Sequence, residues 1–286
     1  MENAIEVKGL CKDYGSFQLD NVSFTLPRGS IMGLIGENGA GKSTTIKAIL
    51  NLIRRDSGEI AVLGMNNVRD EQALKEQIGV VLDESTFHDI LTAGDVNKIL
   101  SRVYKNWDSS LFKQFLTQFE LPEKKIVKSF SKGMKMKLSI AAALSVRPQL
   151  LILDEATAGL DPVVRSEILD VFLDFIQDES HAILLSSHIT SDLEKIADYI
   201  TYMHKGRVVV SGAKDELLES YGRVACTAEQ LSKIDKSYLV GCRKNHFGCE
   251  ALVKDRKELG LLMPELSIDP ASLEEIMVYT VRGDEE

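Results

Sequence analysis

The spacing of apolar residues predicts alternating strands and helices over most of the chain. Apolar runs within residues 30–36, 150–157 and 182–190 have the length of buried strands. Helical spacing of apolar residues lies between or after them, at Ile46, Ile49, Leu50 and Ile53, and at Ile189, Leu193 and Ile196. This alternation predicts an α/β fold with a mainly parallel sheet, flanked by an antiparallel set near residues 4–35 and 56–62.

The segment from about 86 to 147 has the pattern of helices inserted between two strands of that sheet. Two amphipathic stripes carry the prediction and are expected to be core: Val96, Ile99, Leu100 and Val103, then Leu111, Phe112, Phe115, Leu116 and Phe119. Asp108 is a candidate N-cap for the second helix, and Pro122 ends it. A further buried helix is expected over residues 163–176, with Ile168, Val171, Phe172 and Phe175 on one face.

The last sixty or so residues predict a small αβ extension after residue 222. Residues 237–242 and 249–253 have the pattern of short strands. A helix is expected to follow them, with Asp269 as its cap and Pro270 at its first position.

Composition and charge narrow the class of protein. The chain has 286 residues, 44% hydrophobic and 27% charged, and a net charge of −9, which argues against binding nucleic acid through phosphate neutralisation. Its four cysteines form no C-x-x-C pair and no secretory signal opens the chain, so we expect reduced thiols in the cytoplasm. No apolar stretch approaches the ~18 residues that a membrane-spanning helix requires, so a membrane role requires a partner.

Residues 36–44, "GENGAGKST", match the phosphate-loop pattern G-x-x-x-x-G-K-[ST] between a predicted strand and a predicted helix. Glycines at 36, 39 and 41 let the backbone N–H groups up to Thr44 point at phosphates, and the N-terminus of the helix adds positive potential. Lys42 supplies a cation to the phosphates, and the Ser43 hydroxyl is a ligand for Mg²⁺. The alternative is a glycine-rich turn that carries Lys-Ser by chance.

Two further strand ends carry polar residues suited to phosphoryl transfer. "LLILDEAT", residues 150–157, ends a buried strand with Asp154, suited to Mg²⁺, and Glu155, suited to orient or deprotonate the attacking water. "AILLSSHIT", residues 182–190, delivers His188 to the same edge of the sheet. The alternatives are a solvated acidic strand end and an ordinary histidine.

Together these residues resemble the nucleotide-binding subunit of an ATP-binding cassette (ABC) transporter, over about residues 3–222. "FSKGM" stands where that family has its signature Leu-Ser-Gly-Gly-Gln, "KDYG" puts Tyr14 at the adenine-stacking position, and "AGLD" puts Asp161 in a loop that contacts a partner subunit. The resemblance implies a dimer in which Ser131 and Gly133 face the ATP bound by the other subunit. The implied ATP-binding residues are Tyr14, Gly36, Asn38, Gly39, Ala40, Gly41, Lys42, Ser43, Thr44, Asp83, Ser131, Gly133 and Asp161.

Two motifs depart from the family pattern, at three positions. Asp83 follows the strand "IGVVL" where the family has a glutamine that contacts the metal and water, so Asp83 joins Ser43 and Asp154 as a candidate metal ligand. Lys132 and Met134 replace the first glycine and the glutamine of the signature. Considered alone, residues 129–138, "SFSKGMKMKL", have a simpler interpretation: Ser131 caps a helix, lysines face water and methionines fill the core.

The resemblance implies an ATPase subunit with catalytic residues Lys42, Glu155 and His188 that binds ATP and Mg²⁺. It implies a second cassette and an integral membrane subunit as partners, a peripheral position at the inner face of the membrane, and residues 1–222 as the ATPase domain. Single-cassette chains with a tail like residues 223–286 resemble bacterial exporters of peptides or drugs. Two alternatives are a soluble ABC-type ATPase of translation or DNA maintenance, and a binding module that uses nucleotide only as a clamp.

Overall fold

The computed structural model of this protein describes residues 2–82, 87–245 and 248–282. The chain divides into two units, Met1–Val208 and Val209–Glu286. The predicted domain boundary near residue 222 rests on the family resemblance, and it stays a prediction.

The first unit alternates strands and helices along the chain. Its strands are β1 (Asn3–Asp13), β2 (Gln18–Pro27), β3 (Ser30–Ile35), β4 (Ser57–Val62), β5 (Met65–Asn66), β6 (Ile78–Val81), β7 (Leu150–Asp154), β8 (Ala182–Ser187) and β9 (Tyr199–His204). Its helices are α1 (Lys42–Ile49), α2 (Glu71–Lys75), α3 (Ala93–Val103), α4 (Ser109–Gln118), α5 (Lys132–Ser145), α6 (Pro162–Phe175) and α7 (Thr190–Ile196), with a 3-10 turn at Val127–Ser129. Strand β10 (Arg207–Ala213) contains the boundary between the units.

Two sheets of different type build this unit. The larger has the order β10-β9-β3-β8-β7-β6, with parallel pairing from β9 to β6, and the smaller is antiparallel with the order β2-β1-β4-β5. All residues of β3, β7 and β8 are buried, as expected of strands covered on both faces. The α/β prediction is therefore confirmed, except that residues 30–35 belong to the parallel sheet and not to the antiparallel set.

The inserted helices are confirmed between β6 and β7, but one of the two predicted stripes is not core. Val96 is buried on α3, whereas Ile99 and Val103 are 44% and 66% exposed. On α4 the predicted cap is correct, since the Asp108 side chain accepts bonds from the backbone N–H groups of Ser110 and Leu111. The bond from Leu111, then an ion pair with Arg147, lowers the pKa of Asp108.

Helix α1 is shorter than its apolar spacing predicts. It ends at Ile49, and Asn51 adopts a left-handed backbone conformation, so Ile53 lies beyond the helix. Helices α6 and α7 bury the predicted residues Ile168, Phe172 and Leu193, which confirms their core faces.

The second unit contains a four-stranded antiparallel sheet with helices. Its elements are α8 (Lys214–Ser220), β11 (Gly222–Cys226), α9 (Ala228–Lys233), β12 (Leu239–Asn245), β13 (Gly248–Val253), α10 (Arg256–Leu262), β14 (Ile268–Pro270) and α11 (Leu273–Arg282), and the sheet order is β12-β13-β11-β14. The two predicted strands correspond to β12 and β13.

The predicted cap of the last helix is wrong. Asp269 and Pro270 lie in the edge strand β14, where a proline is tolerated because one side of the strand needs no ladder bond. Helix α11 is capped instead by Ser272, whose hydroxyl accepts from the Glu275 N–H while the Glu275 carboxylate accepts from the Ser272 N–H. This reciprocal pair satisfies two backbone donors at the start of the helix.

No helix within residues 2–82, 87–245 and 248–282 is both long enough and apolar enough to cross a membrane.

Candidate nucleotide site

The phosphate loop connects the end of β3 to the start of α1. Gly39 and Gly41 have φ values of 84° and 109°, which favour glycine, and Gly41 occupies the N-cap position of α1. A Cβ on Gly36 would lie 2.4 Å from the carbonyl oxygen of Met203. The predicted strand, glycine loop and helix therefore occur in the order that a phosphate site requires.

A turn after β9 supports this loop through backbone hydrogen bonds. The Gly206 N–H donates to the Ala40 carbonyl oxygen at 3.0 Å, and the Gly206 carbonyl oxygen accepts from the Asp20 N–H at 2.9 Å. The sequence alone does not predict this contact, because a Lys-Gly turn between two strands does not indicate which other segment its backbone will bind.

Replacing Gly206 with alanine is expected to destabilise the first unit by about 2–3 kcal/mol. Its φ is 79°, a backbone conformation that is strained for alanine. An added Cβ would also lie 1.8 Å from the Gln18 carbonyl oxygen, so the backbone must move to relieve the clash. Gly64→Ala is the matched control, because Gly64 has a φ of 77° but no atom within 4 Å of the position that an added Cβ would take. In urea unfolding, Gly64→Ala should lower the free energy of unfolding by only about 1 kcal/mol. Equal decreases for the two variants would exclude the clash with the Gln18 carbonyl oxygen as the cause.

Lys42 is buried and contacts three oxygen atoms, two through hydrogen bonds and one through an ion pair. Its ammonium lies 2.7 Å from the Gly36 carbonyl oxygen, 3.3 Å from the Glu37 carbonyl oxygen and 3.2 Å from Glu155 Oε1. The two carbonyl contacts curl the loop around the lysine side chain. The third contact links the loop to the end of β7.

Glu155 is the centre of the polar chain at this edge of the sheet. Its Oε1 meets Lys42, and its Oε2 lies 2.7 Å from Nδ1 of the half-exposed His188. Its backbone is left-handed, with φ of 53°, which is costly for a residue with a side chain and is typical of positions held for function. Lys42, Glu155 and His188 are therefore brought together, while their catalytic roles stay predictions.

Ser186 is a site residue that the sequence patterns do not indicate. Its hydroxyl donates to Asp154 Oδ1 at 2.5 Å and accepts from the Glu155 N–H at 3.1 Å, so one side chain fixes both acidic residues. The order of the sheet explains this, because β8 lies between β3 and β7. The available signal was only a serine directly after the apolar run of residues 182–185.

The family-derived positions lie on several elements of the first unit. Tyr14 lies in the turn between β1 and β2, where the residue is 50% exposed and the Lys12 ammonium lies 5.3 Å from the ring centroid. Asp161 caps α6 by accepting from the N–H groups of Val163 and Val164. Asp83 lies outside the described residues.

The signature segment begins α5 with the serine cap that the simpler interpretation predicts, but its lysines do not all face water, since the Lys137 side chain is only 12% exposed. Ser131 is exposed and caps the helix, because its hydroxyl accepts from the Met134 N–H at 3.2 Å. Met136 is buried, whereas Lys135 pairs with Asp89 and Lys137 with Glu167. Gly133 packs against Val164 of α6, and the Lys132 ammonium lies beside Gly159.

Comparisons with known proteins agree with this arrangement. The family model described as "ABC transporter" matches residues 19–158. The bacitracin transport ATP-binding protein BcrA of Bacillus licheniformis is 36% identical over 214 residues, which are 73% of this chain and 69% of that protein. The lantibiotic transport ATP-binding protein SrtF of Streptococcus pyogenes is 35% identical over 214 residues, 74% of this chain and 91% of that protein.

A solved structure of similar fold is the ATP-binding subunit of an ABC transporter. It superposes with a TM-score of 0.69 at 30% identity, and the match covers 76% of this chain and 92% of that chain.

Proposed function

The chain belongs to the ABC transporter family as an ATP-binding subunit with ATPase activity, and from this premise we propose that it drives a membrane subunit that exports a peptide or drug. The relatives named for bacitracin and lantibiotic transport support this substrate class. The observation that carries the mechanism is the polar chain from Lys42 through Glu155 to His188, beside the phosphate loop.

Lys42, Glu155 and His188 each have a distinct role in the proposal. Lys42 and the loop N–H groups bind the β- and γ-phosphates and balance their charge. Glu155 accepts a hydrogen bond from the attacking water and orients it, and His188 holds the Glu155 carboxylate through Nδ1. Phosphoryl transfer depends mainly on this kind of alignment and charge stabilisation.

Magnesium is the expected metal at this site. The Ser43 hydroxyl and the Asp154 carboxylate are hard oxygen donors of the kind that Mg²⁺ prefers, and Ser186 fixes the position of Asp154. Within the described ranges, no group of three or more His, Cys, Asp or Glu side chains could hold a metal ion, so phosphate oxygens and water would complete the shell. When bound, Mg²⁺ neutralises charge on the phosphates.

A second cassette is proposed to complete the site. Ser131 and Gly133 open the 14-residue helix α5, whose exposed N-terminus suits an anionic phosphate of a partner subunit. Asp161, at the start of α6, is proposed to contact that partner. ATP would hold two cassettes together, and hydrolysis would separate them.

The membrane subunit is proposed to bind at an apolar groove of about 430 Å³ in the first unit. Two of its lining residues, Leu52 and Val103, are 55% and 66% exposed, and in this proposal the membrane subunit covers both of them. A short amphipathic helix from the cytoplasmic side of the membrane subunit fits a groove of this kind. The protein would then be peripheral at the inner face of the membrane.

Purification of the tagged chain from membranes tests this proposal, and an integral membrane protein is expected to copurify. The double variant Leu52→Glu with Val103→Glu should lower its recovery at least about tenfold, because two carboxylates would be desolvated in the groove. ATP binding by the purified variant should be unchanged.

Leu173→Glu is the control for that experiment, since Leu173 is 38% exposed on α6 and does not line the groove. If the recovery of the membrane protein fell equally in both variants, the groove would not be its binding site. Recovery with ribosomes or DNA, and without any membrane protein, would favour the soluble ATPase instead.

A further inference from the structure

Three of the four cysteines of the chain lie on neighbouring strands of the sheet in the second unit. Cys226 is on β11, Cys249 on β13 and Cys242 on β12. The nucleotide site uses none of them, and the fourth, Cys11, belongs to the first unit.

The strand register shows which two of these three cysteines are close enough to form a disulfide. Cys226 and Cys249 are direct antiparallel partners, whereas Cys242 pairs with Ala251 and is therefore diagonal to Cys249. Direct partners in an antiparallel ladder have Cα atoms about 4.5 or 5.5 Å apart. Both separations lie within the range of about 4.4–6.8 Å found for disulfides, while diagonal neighbours lie about 7–8 Å apart.

All three cysteines share one face of the sheet, because residues two apart on a strand point the same way. Cys226 and Cys249 are only 8% and 5% exposed, and they belong to an apolar cluster that includes Val224, Val253 and Leu259. Cys242 is half-buried. The thiols of Cys226 and Cys249, the best-placed pair, are therefore less accessible than the thiol of Cys242.

Burial also favours the neutral thiol form of Cys226. Desolvation raises the pKa of Cys226, and the nearby thiols of Cys249 and Cys242 raise it further. Since the thiolate is the reactive form, bulky or charged thiol reagents should react slowly here. A small, uncharged oxidant can still reach the pair through local opening of the sheet.

We propose that Cys226 and Cys249 are an oxidation-sensitive pair that closes to a reversible disulfide when a peroxide reaches the second unit. When local opening of the sheet brings water to the pair, one thiol loses its proton and its thiolate sulfur attacks a peroxide oxygen. The O–O bond breaks, the released hydroxide takes up a proton, and a sulfenic acid and water result. The second sulfur then attacks the first, forms the S–S bond and releases the hydroxyl as water. The two thiols lose two electrons and two protons, and hydrogen peroxide is reduced to two waters.

The disulfide would join the two central strands of the sheet. It would close a loop that contains α9 and β12 and would reduce the freedom of the unfolded second unit. Oxidation is therefore expected to raise the urea midpoint of this unit, and dithiothreitol should restore the original value. The inference does not depend on the proposed function, because ATP and a partner play no part in it.

The test treats the full chain with hydrogen peroxide, alkylates the remaining thiols, and maps linked peptides without reduction. We expect the Cys226–Cys249 link to exceed the Cys242–Cys249 and Cys226–Cys242 links together at least tenfold. Intact mass should show a loss of two hydrogens that dithiothreitol reverses. Predominant Cys242 links, links between chains, or sulfinic acid without a link would overturn the proposal.

Two variants serve as controls for the mapping. Cys242→Ala should form the Cys226–Cys249 link at the wild-type yield, whereas Cys226→Ala should form no link to Cys249 above a tenth of that yield. Since Cys226 is buried, circular dichroism should establish that its variant is folded. The wild-type map decides the proposal even if that variant fails to fold.

Discussion

The Glu155→Gln variant is expected to hydrolyse ATP at least about a hundredfold more slowly than the wild type, while ATP still binds. A loss of 10²–10³-fold corresponds to about 2.7–4 kcal/mol at the transition state. Glutamine preserves the shape of the side chain but cannot accept a proton or orient water with a full negative charge. Steady-state phosphate release measures the turnover, and the bound variant should accumulate as a dimer.

The same variant is expected to bind ATP about threefold to tenfold more tightly. Glu155 Oε1 lies 3.2 Å from the Lys42 ammonium and so competes with phosphate oxygens for this cation. An amide oxygen competes less well than a carboxylate, because hydrogen bonds between charged groups are stronger than those to neutral groups. Fluorescent nucleotide titration in EDTA measures this affinity under conditions where hydrolysis does not proceed.

Glu179→Gln is the control for both measurements, because Glu179 is an exposed glutamate that precedes the amino end of β8, whereas Glu155 and His188 follow the carboxyl ends of their strands. It should leave turnover and affinity within twofold of the wild type. A Glu155→Gln variant with normal turnover would remove Glu155 from its proposed role. Unchanged ATP affinity would instead show that the contact with Lys42 does not oppose phosphate binding.

The sequence predicted the chemical groups of this site better than it predicted their contacts. The phosphate loop, the Asp-Glu strand end and the strand leading to His188 each depend on local sequence patterns, and parallel strands place their carboxyl ends at one edge. The contact between Lys42 and Glu155 crosses the end of β8, since β3 and β7 are not neighbours in the sheet. Such a contact depends on strand order, and so does the bridging role of Ser186.

The errors in the predicted fold also have physical causes. An amphipathic stripe shows that one helix face is apolar, but it does not show that the same chain covers it, and so Ile99 and Val103 were wrongly predicted as core. The cap of α11 was misplaced because Asp-Pro and Ser-x-x-Glu are competing start signals three residues apart. Pairing of β14 with β11 decided between them, and that pairing is not local in sequence.

The Lys42→Gln variant is expected to lose at least about a hundredfold in ATP affinity, which is about 2.7 kcal/mol. Hydrogen bonds that involve a charged group contribute about 1.5–3 kcal/mol, so the missing bond to phosphate explains part of this loss. The remainder comes from Glu155, whose carboxylate would face the phosphates without its cation. Lys47→Gln is the matched control, because Lys47 is an exposed lysine in the last turn of the same helix, and its affinity should stay within twofold of the wild type.

The double variant Lys42→Gln with Glu155→Gln separates these two contributions. If the uncompensated carboxylate repels the phosphates, the second change should restore about threefold to tenfold of the affinity that the first removes. The two single changes would then act in opposite directions on ATP binding, although each removes one partner of the same ion pair. An affinity for the double variant no higher than that of Lys42→Gln would mean that Glu155 does not act on the phosphates through its own charge.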